Sequence, residues 1–370
     1  MRKYILLSII FVICLITNDY LEAHVIGYGY ANSVLPAKNQ EAFYTGFELG
    51  LKEILGDKDA LKLLATEQVL NGSPTGAIKA LKSLLDKGVR MIVGFPTSHE
   101  AVQVAKLTSK EGYLTVFASA GHSSLAEMGP TIFTTGESMN SFVEETIKLI
   151  QGRFSKQKGL FIYNPQALFS VNQKNEFERQ LKAKNGNVPN FEYKPLDMDL
   201  RINNTLIMDL KQGKFKYLFL SPYADESAVV LNQLASEKID LPIVSNSTLT
   251  TGDNNMVRRI LSTKKSSIIA GPVWVPNMPN LRHFEKLFTD KYGTAPSAES
   301  ASGYDLGIIT GNVILRAKGN FSKQGLLAAF HADHCFDQTT VGKICFPPNG
   351  GHGSKAVVFK RLTNTGLTDL

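Results

Sequence analysis

From His24 onward, short apolar runs with strand character alternate with stretches of helical period, and near residue 140 the alternation begins again. "HVIGYGY" reads as a strand running into a loop. The next helix spans about Gln40 to Leu55, with Phe43, Phe47 and Leu51 on one face and Gly46 and Gly50 allowing close packing. "LKLLAT" reads as a second strand. Ser73-Pro74 then opens a helix that turns Ile78, Leu81 and Leu85 inward and stops at Gly88. A strand over 90–94, a helix from Ser98 to about Glu111 and a strand over 113–118 complete the first series. The second series has helix 141–150, strand 159–164, helix 171–184, strand 217–221, helix 226–238 and strand 241–245. Strand–helix alternation implies parallel sheets covered on both faces. Two such series predict an α/β chain of two similar doubly wound lobes rather than one long sheet. Open parallel sheets bind ligands beyond the carboxyl ends of their strands, so two facing lobes would hold a ligand between them.

One strand end carries specific chemistry. In "VGFPTSHEAV" (93–102), Gly94 and Pro96 turn the chain, and Thr97 with Glu100 three residues later fits a capping box. If Thr97 caps the helix, Ser98 and the first free backbone N–H groups face whatever lies beyond the strand. Such a helix start suits an anionic or carbonyl group.

Residues 1–23 read as a cleavable secretory leader: Arg2-Lys3, an apolar stretch from Tyr4 to Thr17, and a small residue at Ala23. The apolar run is too short for a membrane span. Ile13 before Cys14 argues against a lipid anchor, so the mature chain is expected to be exported, periplasmic or secreted, and not membrane-embedded. The leader carries two charges of each sign, so the mature chain keeps the net +7. That charge is scattered, with no dense basic block of the kind nucleic-acid binders show. Cys335 and Cys345 are the cysteines left after processing, and an oxidising compartment permits them to pair. "HADHC" (331–335) brings His331 and His334 next to Cys335, but no second ligand cluster accompanies it, so no metal is expected.

Catalytic signatures are weak. "GHSSL" (121–125) has the outline of a hydrolase nucleophile elbow with Ser123 as nucleophile, yet Leu125 stands where the strained turn demands glycine. "GYGYAN" (27–32) has two of the three dinucleotide-fingerprint glycines, and Pro36 interrupts the helix start. No enzyme activity and no cofactor are expected.

Taken in order, the segments resemble a type I periplasmic solute-binding protein, closest to the branched-chain amino-acid and amide-binding group of ABC transporters. "MIVGFPTSHEAVQVAKL", "YLTVFASAGHSSLAEMGPTIFTT", "GLFIYNPQALFSVNQKNEF", "AGPVWVP", "FTDKYGTAPSAESASGYDLG" and "TVGKICFPPNGG" each match a family segment in sequence order. The resemblance implies lobe 1 over 24–136 and 270–336, lobe 2 over 137–269 and 337–370, and a three-stranded hinge. It also implies a monomer that hands a small-molecule ligand to a transporter permease. A ligand-sensing receptor subunit of the same fold is the alternative, and a serine hydrolase using Ser123 a more distant one. Carried over residue by residue, first-lobe ligand contacts fall on Ser98, Ser119, Ala120 and Gly121. The second-lobe wall falls on Phe169 and Tyr223, with Ser247, Glu299 and Tyr304 as further contacts. The chain departs from amino-acid-binding members twice, with Gly121 where they have a hydroxyl and Ser247 where they have the acid that holds the ligand ammonium. A buried charge stripped of its partner costs about 2–5 kcal/mol. Leucine, isoleucine and valine are therefore expected to bind poorly, unless another acid, with Glu299 and Asp225 nearest by sequence, has taken over that role. Calorimetric titration of the unliganded protein checks this, and submicromolar binding of any of the three contradicts it.

Overall fold

Apolar strands flanked by amphipathic helices assemble into two sheets, as the alternation requires. The computed structural model describes residues 24–31, 37–69, 73–184, 189–250, 265–271 and 279–370. The expected leader (1–23) and Trp274 within "AGPVWVP" lie outside these residues. The first series runs β1 (Ile26–Ala31), α1 (Ala37–Leu55), α2 (Asp57–Lys62), β2 (Leu64–Val69), α3 (Pro74–Asp86), β3 (Met91–Gly94), α4 (Ser98–Thr108), β4 (Leu114–Phe117) and β5 (Ile132–Thr134). The second runs α5 (Met139–Phe154), β6 (Lys158–Tyr163), α6 (Leu168–Ala183), β7 (Asn190–Pro195), α7 (Asn204–Lys211), β8 (Tyr217–Leu220), α8 (Ala224–Ser236), β9 (Ile243–Ser245) and β10 (Ile268–Ala270). The chain then forms α9 (Pro279–Tyr292), α10 (Ala298–Arg316), α11 (Lys323–Ala332), β11 (Cys335–Thr339), β12 (Gly342–Cys345), β13 (Gly351–His352), β14 (Lys360–Thr363) and β15 (Gly366–Thr368).

The first sheet has the order β13-β5-β4-β3-β1-β2 and is parallel throughout. The second has the order β15-β14-β10-β9-β8-β6-β7, parallel except where β14 joins antiparallel to β10 and β15. The parallel cores repeat one pattern: β2-β1-β3-β4-β5 in the first lobe and β7-β6-β8-β9-β10 in the second. The strand order therefore reverses beside β1 and β3, and again beside β6 and β8, and those are the points where open sheets form ligand crevices.

Three expectations need correction. "LKLLAT" was expected as a strand, but α2 takes its first two residues and β2 starts at Leu64. Asp57 and Asp59 in the first turn and Lys62 in the last favour that short helix electrostatically. Strand β7 and helix α7 were not expected at all, because β7 is half-buried and reads as mixed polar sequence. Finally, residues 337–352 do not go to the second lobe. Phe336, Ile344 and Phe346 sit in the first-lobe core, where the Phe346 ring lies 5.7 Å from Phe133 and 5.4 Å from Phe330. Strand β13 also pairs with β5, so the return to the second sheet comes after His352. Cys335 and Cys345 face each other across this hairpin and are bonded.

Helices α1 and α10 hold the first lobe at unusually close range. A Cβ on Gly46 would sit 1.9 Å from the Ser300 carbonyl oxygen, and one on Gly303 2.0 Å from that of Phe43. The helices touch backbone to backbone along Gly46, Gly50, Gly303 and Gly307. Gly46→Ala or Gly303→Ala must push them apart, at a cost of about 1–3 kcal/mol that outweighs the helix propensity gained. Gly152 in α5 meets nothing within 4 Å, so Gly152→Ala should stabilise by about 0.5–1 kcal/mol. Denaturant unfolding of the three variants reads this contrast, and equal effects would refute the packing account.

Candidate functional site: a cleft between the lobes

The first lobe presents the turn after β3 and the loop after β4. Phe95 takes φ 44° and Ser119 φ 59°, left-handed conformations that side chains other than glycine rarely adopt. Helix α4 starts at Ser98. Its capping box is present but loose: the Thr97 N–H reaches Glu100 Oε2 at 3.4 Å, and the Thr97 hydroxyl makes no bond of normal length. Ser98 is buried, and among the described residues its hydroxyl has no hydrogen-bond partner. Ser119 Oγ lies 2.6 Å from Ser302 Oγ on α10, which ties the loop to the lobe frame.

The second lobe answers with the ends of β6 and β8. Asn164 N–H donates to Ser170 Oγ at 3.0 Å, and Ser170 Oγ donates to Ser221 Oγ at 3.0 Å. Asn164 Nδ2 donates to Glu226 Oε1 at 2.8 Å, while Glu226 Oε2 accepts the Tyr223 N–H at 3.0 Å. This network orients Tyr223, whose ring stacks on Phe169 at 5.6 Å between centroids and 22° between planes.

Side chains from both lobes meet across the seam. The Leu168 N–H of the second lobe donates to His99 Nε2 of the first at 3.1 Å. Asn172 Nδ2 donates to Ser123 Oγ at 2.8 Å, and the Ser123 N–H donates back to Asn172 Oδ1 at 3.2 Å. The Ser123 hydroxyl, the nucleophile of the hydrolase alternative, is thus engaged in the contact between lobes. His122 accepts the Ser124 N–H through Nδ1 at 3.2 Å, and burial pushes its pKa down to about 4. Burial lowers His99 and His352 as well, so the seam favours neutral imidazoles.

Between the lobes lies a cavity of about 40 Å³ lined by Ser119, Gly121, Gly136, Glu137, Met139, Phe142, Phe169, Gln173, Asn246 and Ser247. Of the residues expected from sequence, Ser119, Gly121, Phe169 and Ser247 meet here, and Tyr223 backs Phe169. Ala120 is buried beside them, its carbonyl accepting the Thr134 hydroxyl at 2.8 Å. Glu299 is buried in the first turn of α10, outside that lining. Tyr304 is not a cleft residue. Its hydroxyl donates to Glu53 Oε2 at 2.5 Å and its ring packs on Phe284 at 4.7 Å, because it lies two turns into α10 on the face that meets α1 and α9.

Sequence reasoning missed His99, Glu100, Glu137, Gln173 and Asn246. Glu100 was legible only as a cap. It is fully buried, with one carboxyl oxygen unpaired, and burial first, with the charge of Glu100 as a lesser cause, raises Tyr28 in the first lobe and Tyr223 in the second. Glu137 follows Gly136 where the chain leaves β5, and no motif marks it.

The chain passes between lobes at residues 135–138 and again after His352, and the step from Ala270 in the second sheet to α9 requires another passage. Two parallel-sheet lobes that share these crossings and close over a lined cavity define a cleft-type binding protein. Residues 64–366 match the family described as periplasmic binding protein, and the chain belongs to that family. No curated protein matches it by sequence. Solved structures share the fold. A leucine-binding protein from Thermotoga maritima superposes with a TM-score of 0.77 at 14% identity, covering 93% of this chain and 97% of that one. A branched-chain amino-acid transporter substrate-binding protein from Streptococcus pneumoniae, in complex with isoleucine, gives 0.73 at 16% identity and the same coverage. A solute-binding protein from R. palustris, in complex with benzoate, gives 0.76 at 17% identity, covering 94% and 95%.

Burial raises Glu100 from the ordinary 4.5 to about 7. A carboxyl raised on folding favours the folded state below pH 4.5 and loses that advantage as the pH climbs through 7. At pH 8 the folded protein therefore carries a buried carboxylate worth about 3 kcal/mol of penalty, on the scale of 1.36 kcal/mol per unit. Glu100→Gln should be more stable than wild type at pH 8 and nearly equal to it at pH 5. Thermal unfolding of the unliganded proteins at both pH values tests this, and a pH-independent difference would contradict it.

Proposed function

We propose that this protein is an extracytoplasmic solute-binding protein. It captures a small polar ligand (an amino acid, amide or related carboxylate) between its lobes and delivers it to an ABC transporter permease. The observation that carries the reading is the cavity shared by Ser119, Gly121, Phe169 and Ser247, sealed by the His99–Leu168 and Ser123–Asn172 contacts across the seam. Family membership supports the extracytoplasmic role, and among the described residues no helix is long and apolar enough to cross a membrane. The relatives crystallised with isoleucine and with benzoate support a small ligand with a carboxylate head. The division into two lobes with a hinge at the crossings supports closure around that ligand.

A thermal-shift screen of the mature protein against amino acids, amides, urea-like compounds and aromatic acids tests the reading. A true ligand at 100 times its dissociation constant adds about 2.7 kcal/mol. A screen in which no solute raises the unfolding temperature would remove the proposal, and recovery of a chemically altered ligand would replace it with an enzyme. For the ligand so found, Ser98→Ala should weaken binding roughly ten- to a hundredfold, since a hydrogen bond to a charged group is worth about 1.5–3 kcal/mol. Thr97→Ala should leave affinity intact and lower stability by at most about 1 kcal/mol. Ser98 loses its assigned role if the alanine variant binds as wild type does.

A further inference from the structure

Among the described residues, Glu137 lines the cavity where the chain leaves β5, and the ammonium that acts on it, Lys355, belongs to an ion pair outside that lining. Lys355, whose side chain is 4% exposed, approaches Asp305 Oδ2 at 3.8 Å, and the Asp305 side chain is 1% exposed. Asp305 also accepts the Thr340 N–H through Oδ1 at 2.6 Å, so this carboxylate has its partners. Glu137 feels the same ammonium only through space. Among the described residues its carboxyl accepts no hydrogen bond, although it lines the cavity and its own backbone oxygen would stand 3.2 Å from a Cβ on Gly121.

The other polar groups of the cavity are engaged elsewhere. Ser119 is bonded to Ser302, and Asn246 Nδ2 donates to the Ser221 carbonyl at 2.9 Å and to Gln173 Oε1 at 3.4 Å. Asn246 Oδ1 accepts from the Thr248 N–H at 2.9 Å and from its hydroxyl at 2.6 Å. The strongest uncommitted acceptor facing the ligand space is therefore a carboxyl whose negative charge Lys355 does not match. An unpaired carboxyl in such a place is costly when ionised, and burial accordingly pushes Glu137 up to about 7.

We propose that Glu137 is a specificity-determining residue that receives a protonated nitrogen of the ligand, so that the solute is an ammonium-bearing compound whose amine reaches the hinge end of the cleft. The proposal rests on the binding role argued above. Glu137 stands at the crossing between β5 and α5. A ligand ammonium supplies the missing positive charge, and charge-assisted hydrogen bonds to a desolvated carboxylate are the strong ones. A nitrogen-free acid would instead meet a repelling carboxylate or require Glu137 to stay protonated.

Three probes of matched length separate the charges: butylamine, 4-aminobutyrate and butyrate. Calorimetric titration of the unliganded wild type should detect at least one of the two ammonium-bearing probes and bind butyrate at least tenfold more weakly. Glu137→Gln should weaken the bound probe tenfold or more while unfolding, without ligand, at or above the wild-type temperature. Glu137→Asp should retain part of the affinity. The inference is overturned if neither ammonium-bearing probe binds, if butyrate binds as well as they do, or if Glu137→Gln binds them unchanged. Parallel titration with benzoate separates the two levels of the argument. Binding of benzoate or butyrate alone would leave a solute-binding protein with a wrong ligand class, whereas loss of all solutes in the wider screen would remove both.

Discussion

The shared direction of the strands is the constraint on which the rest of this structure depends. A parallel strand pair cannot be joined by a hairpin, so each step needs a helical crossover, and the helices must cover both faces. In the parallel core of each sheet the strand carboxyl ends then lie on one edge, and the following helices begin there with unsatisfied N–H groups. Because both lobes repeat the order 2-1-3-4-5, each has one place where neighbouring crossovers diverge. The turn before Ser98 and the network of Asn164, Ser170 and Ser221 stand at those places, so backbone topology fixes the cleft before any side chain is considered.

The two lobes are held together differently from the way each is held internally. Within the first lobe, α1 and α10 approach until only glycine fits between their backbones, and Phe133, Phe330, Phe336 and Phe346 fill the base. Across the seam the described contacts include hydrogen bonds among neutral groups, His99 with the Leu168 N–H and Ser123 with Asn172, and the Leu168 side chain packs against a first-lobe apolar cluster. A neutral hydrogen bond contributes only about 1 kcal/mol net, because water replaces it when the lobes part.

The interior of the cleft is electrostatically unbalanced in a way the seam is not. Glu100 and Glu137 are both raised to about 7, while the three histidines nearby are lowered. One physical cause, removal of water, disfavours the charged form of both kinds of group and so raises the acids while it lowers the bases. Charge brought by a ligand would act in a medium of low dielectric, where it has its largest effect.

The sequence by itself determined the lobe architecture and the strands that bear the site, because periodicity and turn residues report which faces are buried. It also pointed to Ser119, Gly121, Phe169 and Ser247, which line the cavity between the lobes, and to Ser98, which lies outside that lining. It did not separate Tyr304 from the cleft, because which way a residue of a long buried helix points depends on the helices that pack around it, here α1 and α9. Nor did it reveal that residues 337–352 stay with the first lobe, a choice made by the fit of Phe346 among the rings of distant segments. Glu137 carries the same lesson most plainly. In sequence it is an unremarked acid after a glycine, and only the convergence of Lys355 and Asp305 from the far end of the chain decides that its charge stands unmatched beside the cavity.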